Sequence, residues 1–310
     1  VPPQLSLCAA GQGECKTFWH SRDLAGLHLI KPQFVDFTAE DGTVLQAEIL
    51  LPQQGNGKRV PLLMNPYGGP GEQAVRDLWG GTKFLFHQLL AQDGIAILQV
   101  DNRGMAGRGQ KFTAALRHNF GQIELKDQLT ALDQALKQFP QLDPQRLGWW
   151  GWSYGGYMTL YALTHSDRFL AGFAVAPVTD WKDYDSIYTE RYMGLPKDNV
   201  EGYRKSSPVN TPQSLHGDLI IAHGTSDDNV HMQNTMQMAN AFINAEKQFS
   251  LILYPRKTHG IAGAAARTQL FTRIREHFDR ALLGAEFNAA NLGGSVSGAM
   301  PSTSNDQTGR

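Results

Sequence analysis

The pentapeptide Gly151-Trp152-Ser153-Tyr154-Gly155 constrains this chain more than any other stretch, because it sits between an apolar run, Arg146 to Trp152, and a helix-like run beginning near Tyr157. A strand that turns straight into a helix leaves room for glycine alone beside the turn, and it pushes the central serine hydroxyl clear of the sheet. The pattern also occurs as a plain Gly-rich turn that packs a helix on a sheet. The downstream sequence separates the two readings.

A serine of ordinary pKa needs a base, and the base needs an orienting acid. Both are found downstream, in the order serine, acid, histidine. The buried-strand pattern Leu219-Ile220-Ile221-Ala222 opens into His223-Gly224-Thr225-Ser226-Asp227-Asp228-Asn229, a polar turn at the carboxyl end of a strand. Leu251-Ile252-Leu253-Tyr254 then leads into Pro255-Arg256-Lys257-Thr258-His259-Gly260. Ten histidines make any one of them a weak signal. His259 stands out through its place after a strand and after the acidic turn. Spacing does not choose between the adjacent carboxylates Asp227 and Asp228.

The remaining patterns place this candidate site on a layered α/β fold. Strands are expected at Leu45 to Leu51, Val60 to Asn65, Ile95 to Asp101, Arg146 to Trp152, Ala171 to Ala176, Leu219 to Ala222 and Ser250 to Tyr254. Helices are expected at His87 to Gln92, Gln122 to Gln138, Tyr154 to Thr164, Met232 to Ala245 and Ala264 to Leu282. Such alternation implies a mostly parallel sheet flanked by helices on both faces. Residues 1–32 read as an irregular linker or the end of an upstream domain, 33–284 as the catalytic domain, and 285–310, rich in Gly, Ala, Ser and Asn, as a disordered tail.

Composition removes other classes. With 41% hydrophobic and 18% charged residues over 310 positions, the chain can bury a large core. Net charge is −1 and basic residues are unclustered, which excludes a nucleic-acid partner. No apolar run approaches the roughly 20 residues of a membrane span, and the start of the chain lacks a signal-peptide pattern. Cys8 and Cys15 are the only cysteines. Either could be free; a local disulfide in an oxidising compartment is favoured, and with it a periplasmic or secreted setting.

The motifs coincide in one group. Gly151-Trp152-Ser153-Tyr154-Gly155-Gly156-Tyr157, Asp101-Asn102-Arg103-Gly104, the run Tyr184-Asp185-Ser186-Ile187-Tyr188-Thr189-Glu190-Arg191-Tyr192-Met193-Gly194, His223 to His231 and His259-Gly260-Ile261 resemble the prolyl oligopeptidase clan, and within it the catalytic domain of dipeptidyl-peptidase IV-like serine peptidases. The resemblance covers about Gln33 to Leu283 and implies an α/β-hydrolase fold. It also implies that these residues are a C-terminal portion, with an upstream β-propeller domain of the same protein as partner.

Carried over residue by residue, the resemblance makes Ser153 the nucleophile, Asp227 the triad acid and His259 the general base. The Tyr154 backbone N–H and the Tyr67 hydroxyl become the oxyanion donors. The Tyr154 ring, Val178, Trp181, Tyr184, Tyr188 and Val230 become walls of an S1 pocket, and Asn229 a donor to the P2 carbonyl. A rigid apolar ring suits proline, which has no N–H to satisfy. Asp185 agrees with the dipeptidyl branch. The implied activity is release of N-terminal dipeptides, Pro then Ala at the penultimate position, from peptides with a free N-terminus, without metal or organic cofactor. A broader prolyl-type oligopeptidase, acylaminoacyl-peptidase or esterase is the nearest alternative; a catalytically silent binding module on the same fold is the alternative from another class. The resemblance leaves a homodimer open and places the anchor for the substrate ammonium on the propeller.

Overall fold

The computed structural model describes residues 2–284 apart from 12, 22, 23, 25, 54–56 and 58. Ten strands are described: β1 Gln4–Cys8, β2 Cys15–His20, β3 Gln33–Thr38, β4 Val44–Leu50, β5 Val60–Met64, β6 Ala96–Val100, β7 Leu142–Trp152, β8 Ala171–Val175, β9 Asp218–Gly224 and β10 Ser250–Tyr254. The helices are α1 Gly81–Gln92, α2 Gln110–Thr113, α3 Gln122–Gln138, α4 Tyr154–His165, α5 Ser186–Met193, α6 Val200–Ser206, α7 Gln233–Asn244 and α8 Ala264–Phe278.

Eight strands form one sheet in the order β10-β9-β8-β7-β5-β6-β4-β3. Every neighbouring pair is parallel except those made by β4, which runs antiparallel to both β3 and β6. This is the mostly parallel, helix-flanked α/β-hydrolase sheet expected from the alternating patterns. The central strands are largely apolar because both of their faces are covered, and β6 and β8 are buried at every position, Gln99 of β6 included.

Alternate residues enter opposite layers, as the period of two demands. Ala96, Leu98 and Val100 of β6 join the layer built with α3, α4 and α7, while Ile97 joins the layer under α1 and α8. α4 is buried at every residue but its last and runs through the core beneath the site. Each face of the sheet thus has its own core, and the C-terminal ends of β7, β9 and β10 are left at one rim.

Several elements differ from the sequence-based expectation. Residues 1–32, expected to be irregular, contain the antiparallel hairpin β1–β2, in which Cys8 pairs with Cys15 and the two form a disulfide. Every residue of both strands is exposed, so no burial pattern marks them. The extended-looking Gly26 to Ile30 forms no strand; Ile30 instead has its N–H and C=O bound by the Gln88 side-chain amide at 2.7 and 2.8 Å. Helix α1 begins at Gly81, six residues before His87, and β3, α2, α5 and α6 have no counterpart among the expected elements. α8 ends at Phe278 and a single π-helical turn continues to Leu283. The expected disordered tail, 285–310, lies outside the described residues.

Candidate active site

β7 runs into Ser153, and α4 starts at the next residue. Ser153 is held at φ 60° and ψ −119°, a backbone state that L-residues adopt only under constraint. The constraint is visible on both sides: the Ser153 N–H donates to the Val175 carbonyl at 2.9 Å, and the Ser153 carbonyl accepts from Tyr157 at 2.9 Å. A Cβ on Gly151 would lie 2.3 Å from the Gly155 backbone, and one on Gly156 would lie 2.5 Å from the Val175 carbonyl oxygen. Glycine is required at both positions because strand, turn and helix touch backbone to backbone.

Asp227 follows β9 and is buried, whereas Asp228 is exposed. Asp227 Oδ1 accepts the backbone N–H groups of Asn229 and Val230, each at 3.0 Å. Its Oδ2 lies 2.8 Å from His259 Nδ1 and 3.2 Å from His223 Nε2. Burial works to raise the Asp227 carboxyl, but hydrogen bonds from His223 and His259, the nearby His259 charge and the Asn229 N–H outweigh it and hold the group well below its ordinary range. The choice that spacing left open is made by the turn, which folds the first carboxylate inward and leaves the second in solvent.

His259 follows β10 on a loop lashed to the Asp227 loop. The Thr225 N–H donates to the Tyr254 carbonyl at 3.0 Å, the Ser226 N–H to the Lys257 carbonyl at 3.0 Å, and the Arg256 N–H to the Thr225 hydroxyl at 2.9 Å. The His259 carbonyl in turn accepts the indole N–H of Trp152 at 2.9 Å, which ties the base to the residue before the serine. Ser153, His259 and Tyr67 line one cleft.

The Tyr154 N–H, at the first position of α4, has no intrahelical acceptor. Half-buried Tyr67 shares the cleft with Ser153, and burial, reinforced by Glu72 and Tyr184, pushes its pKa up to about 12. Its loop is fixed by the motif Asp101-Asn102. Asp101 accepts the N–H groups of Ala74 and Val75 at 2.9 and 3.2 Å, and the Asn102 amide donates to the Gly68 carbonyl at 2.9 Å.

Beside the serine stands a ring of aromatic side chains. Trp181 lies 5.2 Å from Tyr154 and 5.9 Å from Tyr184, edge-on to the latter, and Tyr184 lies 5.4 Å from Tyr188. Val178, Trp181 and Val230 are buried. Tyr188 is pinned by its hydroxyl to the Pro70 carbonyl at 3.2 Å, and Asn229 accepts the Tyr184 hydroxyl at 3.2 Å. Asp185 caps α5 by accepting the Tyr188 N–H at 2.9 Å, so it positions that tyrosine directly. All the residues singled out from the sequence are brought to this one rim.

Other contributors gave no signal in the sequence. Phe120 packs against Trp181 with ring centres 4.6 Å apart. Glu124, on α3, is fully buried and accepts the Tyr154 hydroxyl at 2.7 Å and the Gly121 N–H at 2.8 Å. Burial raises its pKa to about 7. His223, near the end of β9, opens the acidic motif, yet its buried place between Thr235, Val230 and Asp227 depends on the fold. Among the described residues, no three or more His, Cys, Asp or Glu side chains are grouped to hold a metal ion, and no helix is long and apolar enough to cross a membrane.

The prolyl oligopeptidase family is matched over residues 83–285. The bovine (Bos taurus) prolyl endopeptidase FAP is 38% identical over 259 residues, covering 82% of this chain and 33% of the relative. Dipeptidyl peptidase 8 of Mus musculus is 37% identical over 235 residues, 74% of this chain and 26% of the relative. The crystal structure of Porphyromonas gingivalis dipeptidyl peptidase 4 superimposes with a TM-score of 0.78 at 36% identity, covering 86% of this chain and 39% of that one. The chain therefore spans about a third of the length of the relatives it matches. With a strained serine after β7, a carboxylate and histidine joined after β9 and β10, and a family match across most of that region, the chain belongs to the prolyl oligopeptidase family.

Proposed function

We propose that this chain is the catalytic portion of a serine exopeptidase that releases N-terminal dipeptides, with proline and then alanine favoured at the penultimate position. The observation that carries the proposal is the aromatic ring of Trp181, Tyr184 and Tyr188 standing beside Ser153, a rigid apolar slot that suits a residue whose imide nitrogen has no proton to donate.

In this reading the Ser153 hydroxyl attacks the carbonyl carbon of the penultimate residue while His259 takes its proton. The hydrogen bond that His259 Nδ1–H donates to Asp227 keeps the proton on Nδ1, freeing Nε2 to act as base, and the carboxylate stabilises the imidazolium. The Tyr154 N–H and the Tyr67 hydroxyl receive the charge on the oxygen; a phenol with its pKa pushed up to about 12 remains a donor throughout the working range. The tetrahedral intermediate collapses as His259 hands the proton to the leaving amine. Water then attacks the acyl-enzyme by the same route in reverse, releasing the dipeptide.

The ammonium of the substrate would be anchored by an upstream β-propeller, a proposal supported by the chain spanning about a third of its relatives. The Cys8–Cys15 disulfide supports a periplasmic or secreted setting. In the intact enzyme, kcat/KM for Ala-Pro amides should exceed that for succinyl-Ala-Pro amides by at least about 10²-fold, because the acyl cap removes the charge that is to be anchored. Equal cleavage of the two would replace the exopeptidase by an oligopeptidase of the same fold.

A further inference from the structure

The aromatic ring accounts for one side of Ser153 only. On the other side lies a cleft of ≈ 350 Å³ that shares Ser153, Tyr67 and His259 with the site but none of the aromatic-ring residues. Trp152, Phe271, Thr82, Lys83 and Arg267 are among its other walls. A peptide threaded past Ser153 with its penultimate residue in the aromatic slot must send its remaining chain the other way. The leaving amine also has to meet His259, which hands it a proton. This second cleft is therefore on the leaving-group side.

Its charges are of one sign. No carboxylate lines it, whereas Lys83 and Arg267 do. Arg273 and Arg275 of α8 have carboxylate partners, Glu276 at 3.3 Å and Asp93 at 2.6 Å. Among the described residues Arg267, on the same helix, has none within 4 Å. It is held in place by other means: its Nε donates to the Gly260 carbonyl at 3.0 Å, and its guanidinium lies 5.3 Å from the centre of the Trp152 ring. The outer guanidinium nitrogens keep donors to spare, in a fork that matches a carboxylate. Lys83 is the weaker of the two cations, because burial lowers its pKa and the nearby Glu48 charge offsets this only in part.

We propose that Arg267, assisted by Lys83, selects leaving peptides that carry a carboxylate, either an acidic side chain within the first two residues after the cut or the free terminus of a short substrate. The proposal rests on the exopeptidase reading for its orientation. Selection acts on the rate of acylation, since the leaving peptide is gone before water attacks.

The intact enzyme would be assayed at low ionic strength with paired peptides: Ala-Pro-Ala-Glu-amide against Ala-Pro-Ala-Gln-amide for the side chain, and Ala-Pro-Ala against Ala-Pro-Ala-amide for the terminus. The acidic member of at least one pair should show kcat/KM about three- to tenfold higher, as expected of one half-shielded ion pair, and the ratio should shrink as salt is added. R267Q should bring that ratio close to one and R267K should restore part of it, whatever either change does to turnover as a whole. Should R267Q fail to fold, the salt dependence and K83Q, with its smaller loss of the ratio, still decide. Ratios near one in the unmodified enzyme, or ratios that survive R267Q, overturn the proposal. Failure to cleave any Ala-Pro peptide would instead overturn the exopeptidase reading.

Discussion

Asp227→Asn tests the core of the site, and its effect can be worked out atom by atom. The buried carboxylate uses one oxygen for the N–H groups of Asn229 and Val230 and turns the other to His259 at 2.8 Å. An asparagine placed there keeps the two backbone donors only if its carbonyl oxygen faces them. Its NH₂ group then faces His259 Nδ1, which must accept, and the imidazole proton moves to Nε2. That tautomer cannot take a proton from Ser153. The charge is lost as well: an opposite charge at about 4 Å is worth about 4 kcal/mol near a protein surface, a factor of about 10³ in rate. With the tautomer effect included, kcat/KM on Ala-Pro amides should fall by about 10⁴-fold, and fluorophosphonate labelling of Ser153 should slow in parallel. Asp228→Asn, at an exposed site, should stay within about twofold of the unmodified enzyme. Far-UV circular dichroism would confirm that both variants fold. If Asp227→Asn kept more than a tenth of the activity, or Asp228→Asn lost as much, the assignment of the acid would be wrong. The sign of the pH effect is also set: with its folded pKa held below the ordinary value, Asp227 stabilises the fold above about pH 4, and that contribution disappears as the pH falls through the folded value.

Tyr67→Phe should lower kcat by about 10²-fold with KM near its starting value, since the hydroxyl acts on the oxyanion; a rise in KM alone would make Tyr67 a binding residue. Because the phenol's pKa is pushed up to about 12, the variant and the unmodified enzyme should share the same pH profile below about pH 10. Ser153→Gly should abolish labelling yet raise Tm by about 2–4 °C in calorimetry, as glycine accepts the positive φ without strain; a lower Tm would mean the serine is not strained there.

The three principal site residues were legible because each follows an apolar run and lies in the polar or glycine-rich sequence after it, a pattern that local chemistry imposes. The choice between Asp227 and Asp228 was not legible by spacing, because it turns on which of two adjacent side chains a tight loop folds inward. Glu124 was hidden for a related reason. On α3 it occupies a turn of the helix that would be solvated in isolation, and it is buried because Tyr154 arrives from elsewhere in the chain, while the Gly121 N–H at the start of its own helix supplies the second bond. The start of α1 was masked by Gly80-Gly81, and the β1–β2 hairpin by the absence of any buried face. Pattern reading finds elements that bury one side and misses those held by disulfide, cap or neighbour.

The nucleophile and the base are secured unequally. β7, which delivers Ser153, is flanked by β5 and β8, whereas β10, which delivers His259, pairs among the described residues with β9 alone. Strands at a sheet margin open at lower free energy than those in the middle, since half their ladder is absent. A brief fraying of β10 would carry the imidazole away from Asp227 and leave the serine turn untouched. Gentle heating would therefore silence turnover reversibly while most of the sheet is still folded, and the temperature at which catalysis fades reports the hold of one marginal strand, not the melting of the molecule.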